Sequence, residues 1–130
     1  MNYCSKDYKC RFFLATGKNK EEQLILNEIF NSKFKSRCVK LDDLRLRETL
    51  PYIKNCNISI CNDTSFSHLS AALGLPTIVL MADTPIIYGS YTPNMHPILP
   101  EGIKEVKHNT LGKDKINATE IFKKFQSLIN

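Results

Sequence analysis

The sequence predicts an α/β fold, a Rossmann-like parallel sheet flanked by helices, as a single domain over residues 1–130. Three observations carry this expectation. Short apolar runs alternate with segments of helical period, the order that builds a parallel sheet with crossover helices. Polar clusters punctuate the strand ends. A chain of 130 residues, 42% hydrophobic and 24% charged, suits one domain with a sizeable core.

The run "CRFFLATG" is short, apolar and closed by Gly17, so it reads as the first strand. In "NKEEQLILNEIFNS", Ile25, Leu26, Ile29 and Phe30 share one helical face, and Glu21 and Glu22 in the first turn complement the helix dipole. "RCVKL" is the second strand. In "DDLRLRETLPYIKNC", Leu46, Leu50 and Ile53 recur at helical spacing, and Pro51 requires a first-turn position or a kink. "ISIC" is the third strand. "SFSHLSAALG" reads as a compact helix with Ser65 as N-cap and Gly74 beyond its end, stopped by Pro76. "TIVLMA" is the fourth strand. The stretch from Asp83 to Gly102, with Pro85, Pro93, Pro97 and Pro100, reads as a long ordered loop of the kind that often carries function. "KEVKH" is a weak last strand. "NATEIFKKFQSLI" closes the chain as a helix capped by Asn117 or Thr119, with Ile121, Phe122, Phe125, Leu128 and Ile129 on one face.

Ligands of such sheets bind beyond the carboxyl ends of the strands. Thr16-Gly17, Asp42-Asp43, Asn62-Asp63-Thr64 and Asp83-Thr84 each follow a strand. The bulk numbers limit the partners. The net charge of +5 favours acidic ligands, but the basic residues are scattered and not interleaved with aromatics, which argues against nucleic acid. No apolar run approaches the roughly 18 residues of a membrane span, and no signal peptide is visible. The five cysteines are odd in number and lack C-x-x-C spacing, which argues against a disulfide framework or zinc site and fits a reducing cytoplasm. Cys38 and Cys61 read as small buried apolar residues.

The densest polar cluster lies in "NDTSFSHLSAALGLPT". Ser65, His68 and Asp63 are the letters of a hydrolase triad, but three residues on one tight turn do not converge as a triad must, and G-x-S-x-G is absent. Asp63 and His68 supply only two metal ligands. A phosphoacceptor receiver would need an acidic pair where this chain has "ATGKN", and a lysine after the fifth strand, where only Lys107 is available. Two readings stay open. In one, Asp63, Thr64 and Ser65 only cap a helix and His68 is a polar surface residue. In the other, the amides of Phe66, Ser67 and His68 at the positive helix end receive an anion, with the Thr64 hydroxyl and the His68 ring as further donors. A helix end contributes ~0.3–2 kcal/mol and a charged hydrogen bond ~1.5–3, whereas a micromolar ligand needs about 8. The motif could therefore orient a phosphate, while the rest of a nucleoside pocket would have to hold the ligand.

The segment "SICNDTSFSHLSAALGLPTIVLMADTP" resembles the C-terminal motif of glycosyltransferase family 9, the lipopolysaccharide heptosyltransferases, D-[ST]-G-x-x-H-x-A-A-A-L-G-x-P-T followed by a strand and G-x-T-x-P. Asp63, Thr64, His68, Ala71, Ala72, Leu73, Gly74, Pro76, Thr77, Thr84 and Pro85 match. The resemblance extends loosely over residues 8–129. It implies the C-terminal half of an inverting GT-B fold that binds a nucleotide-sugar donor, usually ADP-heptose, without metal or other cofactor. It assigns Asp63, Thr64, Ser65, Phe66, His68 and Thr84 to the donor diphosphate and Glu21 or Glu22 to the donor ribose. It also implies a glycan acceptor such as lipopolysaccharide, a cytoplasmic place peripheral to the inner membrane, and a catalytic base in an N-terminal domain or partner chain. On this pattern the chain begins one strand–helix unit into the donor domain and is not active alone. Ser65 stands where the family has glycine, Ala82 replaces the later glycine, and the segment around Thr84 and Pro85 is shortened. The other reading is a non-catalytic nucleotide-binding or assembly module that pairs with another chain.

Overall fold

The computed structural model describes residues 1–129. It divides into two compact units, the first spanning residues 1–52 and the second beginning at residue 53. The strands form two parallel sheets, one in each unit, where the alternating pattern predicts one.

In the first unit, helix α1 (Asn2–Asp7) precedes β1 (Phe12–Leu14), α2 (Lys20–Phe30) and β2 (Cys38–Lys40). The opening helix has no strong periodicity and was not foreseen. β1 and β2 pair in parallel from Phe12 opposite Cys38 to Leu14 opposite Lys40. Helix α2 starts where Asn19 accepts the Glu22 amide at 2.9 Å, and the Glu22 side chain turns back to the Gly17 amide and the Asn19 side chain. This reciprocal capping fixes the turn after β1. Of the expected apolar face only Leu26 is fully buried; Ile25 is exposed. Helix α3 (Leu46–Lys54) runs across the boundary between the units. Its start is held by Glu48, which accepts the Arg45 amide at 2.8 Å and the Arg45 guanidinium at 2.7 Å. These bonds hold the Glu48 carboxyl below its ordinary range. Pro51 lies inside the helix, not in its first turn. Leu46 is exposed and Ile53 buried, so the face is shorter than the spacing predicts.

The second unit carries β3 (Ser59–Asn62), α4 (Ser65–Ala72), β4 (Thr77–Leu80), β5 (Met95–Ile98) and α5 (Ala118–Ile129). The sheet order is β3-β4-β5, all parallel. Ile78, Val79 and Met81 are fully buried, and Val79 and Met81 join Ala71, Met95 and Val106 in one core cluster. α4 packs on β3 and β4, and α5 on β4.

The edge strand β5 falls inside the stretch read as loop, while "KEVKH" forms no strand and contributes Val106 to the core. Proline masks the signal but does not prevent the pairing. Thr77 donates to the Asn94 carbonyl at 2.7 Å and Met81 to the Ile98 carbonyl at 3.0 Å, so the even-numbered residues of this segment bond β4. The Pro97 nitrogen then faces the open edge, where no ladder donor is needed. Before β5, a 3-10 turn (Ile86–Gly89) approaches the core so closely that a Cβ on Gly89 would lie 2.5 Å from Met81 Sδ. Asn117 caps α5 by accepting the Thr119 amide at 2.8 Å. Cys38 and Cys61 are half-buried, not fully buried, and none of the five cysteines is in a disulfide.

Candidate functional site

The turn from β3 into α4 is built from its capping chemistry. Thr64, in extended conformation, is the N-cap, and Ser65, expected as the cap, is the first helical residue, so the helix starts one position earlier than its sequence predicts. Ser67 Oγ accepts the Thr64 amide at 3.3 Å and donates to the Thr64 carbonyl at 2.7 Å. That carbonyl also takes the amides of Ser67 and His68 at 3.0 and 3.5 Å. The amides left outside the helical ladder are therefore those of Ser65 and Phe66, and not the expected set of Phe66, Ser67 and His68. At the far end, Gly74 adopts φ +85°. Its amide donates to Ala71 and that of Leu75 to Ser70, each at 3.0 Å, the paired bonds of a Schellman ending. Lys54 Nζ adds a cation at the Leu73 carbonyl, 3.1 Å away.

Asp63 leaves the end of β3 and Thr84 follows β4, and the Thr84 hydroxyl donates to Asp63 Oδ2 at 2.5 Å. The other carboxylate oxygen, buried and without a hydrogen bond, faces His68 Nε2 at 3.4 Å. On the opposite side of the ring, His68 Nδ1 lies 2.9 Å from Tyr91 Oη, with the two rings nearly parallel. The structure thus brings Asp63, His68 and Thr84 together and sets Thr64, Ser65 and Phe66 on the adjoining turn. Glu21 and Glu22 belong to the first unit, where Glu22 is engaged in capping α2 and Glu21 is exposed. Tyr91 was not singled out from the sequence; the only signal was its place in the proline-rich loop. Below the site, burial pushes the Cys61 thiol up to about 11, so it carries almost no thiolate at neutral pH. Among the described residues no three His, Cys, Asp or Glu side chains gather as a metal centre would require.

Parallel strands flanked by helices, with polar residues at their carboxyl ends, define a Rossmann-like α/β protein. The model of glycosyltransferase family 9 (heptosyltransferase) matches residues 3–115, and the chain belongs to that family. The match takes in both sheets and the β3–α4 turn and stops before α5. Searches of curated proteins and of solved structures each found no match. No helix among the described residues is long and apolar enough to cross a membrane.

Proposed function

We propose that this chain is the donor-binding half of an inverting glycosyltransferase. It would hold the diphosphate of a nucleotide-sugar, with ADP-heptose the usual family donor, for transfer of the sugar to a lipopolysaccharide or other glycan acceptor. The catalytic base would come from another domain or chain. The observation that carries this reading is the alignment of Asp63, Thr84 and His68 at the N-terminal end of α4 in a member of this family. The Ser65 and Phe66 amides and the positive helix end would stabilise charge building on the leaving diphosphate. Asp63 and Thr84 would orient the site without touching the phosphates, since each already engages the other. Ser65, where the family has glycine, is exposed as the first helical residue and adds a hydroxyl beside the amides.

Calorimetry against ADP, UDP, GDP and their sugars tests this. Binding of at least one of them is expected, weakened about tenfold or more in His68→Ala by loss of a charged hydrogen bond. A folded protein that binds none of them would overturn the reading. Binding that His68→Ala leaves unchanged would make the motif a helix cap and favour a nucleotide-binding module.

A further inference from the structure

Both nitrogens of His68 face a neighbouring side chain, and this bears on how an anion reaches it. Nε2 points at the Asp63 carboxylate, 3.4 Å away, and Nδ1 shares a hydrogen bond with the Tyr91 hydroxyl at 2.9 Å. The ring nitrogen that points away from Asp63 is therefore taken by Tyr91. We propose that Tyr91 is a gate on this site: its hydroxyl occupies His68 Nδ1 in the ligand-free protein and must leave before the ring can serve a diphosphate. The inference rests on the donor-site reading above.

Three features suit Tyr91 to this role. Its side chain is accessible, with Tyr91 52% exposed, so the bond it gives up is made near water. It sits on a short arch pinned on both sides. Gly89 lies close against Met81, and Asn94 Nδ2 donates to the Ala71 carbonyl at 3.2 Å while its own carbonyl pairs with β4. Movement is thereby confined to the residues between those anchors. The closed arrangement also leaves two buried oxygens without hydrogen bonds, Thr92 Oγ1 on the arch and Asp63 Oδ1 on the other side of the ring. Buried polar atoms without partners are costly, and Thr92 can gain water when Tyr91 lifts. The freed Nδ1 edge of the ring can then face the anion, a step that begins with the departure of Tyr91.

Tyr91→Phe keeps the ring and removes only the hydroxyl. Titrated with ADP and with inorganic pyrophosphate, it should bind roughly two- to tenfold tighter than the unaltered chain, the range set by one net hydrogen bond. The gain should vanish in a His68→Ala background, because the competition acts through that ring. Equal or weaker binding by Tyr91→Phe, with the unaltered chain binding normally, overturns the gate and leaves the donor site standing. Absence of binding in both proteins overturns the donor site and the gate with it. Nitrogen-15 spectra of the His68 ring supply an independent reading. Nδ1 should lose its hydrogen-bond signature in ligand-free Tyr91→Phe, and an unchanged spectrum would count against the gate.

Discussion

Single side chains in this protein divide into those that hold each other and those that respond to solvent. Asp63 belongs to the first kind: Thr84 fixes one of its oxygens, and the other faces His68. The letters Asp, Thr and His were legible in the sequence, but their mutual contacts were not, because Thr84 reaches Asp63 only once β3 and β4 lie side by side. Tyr91 was invisible for the same reason. His96, on β5, is of the second kind. Burial first, and the Lys124 charge second, push its pKa below the ordinary 6.5. The folded chain therefore binds this proton less readily than the unfolded chain. Its contribution to stability is fully present above the ordinary value and is lost as pH falls through it. Denaturant unfolding at about pH 8 and about pH 5.5 should show the unaltered protein losing more stability on acidification than His96→Gln. Equal losses would mean that His96 is as well hydrated folded as unfolded.

Individual elements were most readable where the local signals agreed. α4 has a capped start, small residues along its buried face and a glycine stop, and its existence and its C-terminal end were both legible. Its first residue was displaced by one because Thr64 and Ser65 are equally good caps on composition, and only backbone geometry chooses between them. β5 was hidden because His96 and Pro97 break the apolar run, and an edge strand tolerates both. The C-terminal ending of α4 permits a direct test. Gly74 sits at φ +85° with open space where a Cβ would go, so Gly74→Ala meets no clash and carries only the left-handed backbone penalty. A loss of about 1–2 kcal/mol is expected from thermal or denaturant unfolding, with α4 still formed by circular dichroism. No loss would show that the Schellman bonds are dispensable.

At the scale of the whole molecule, burial is uneven. β4 is central in its sheet, and Thr77, Ile78 and Val79 are wholly buried, whereas β1 and β2 are only half-buried along their three paired residues. Regions with few buried apolar contacts open first. Hydrogen exchange should therefore protect the β4 amides longest and release those of β1 and β2 earlier. Matching protection in the two sheets would mean that both units unfold as one cooperative body. The sequence carried the strand–helix alternation but not its division into two sheets, since pairing partners are chosen by tertiary contacts and not by local period. Pro97 adds a consequence for behaviour in solution. An exposed edge strand is a template on which further chains can stack, and proline deprives that template of a donor in its middle. The proline that concealed β5 from the sequence reading is thus also a guard against aggregation, and a second chain that extended this sheet through β5 would have to do so with a gap in its hydrogen bonding.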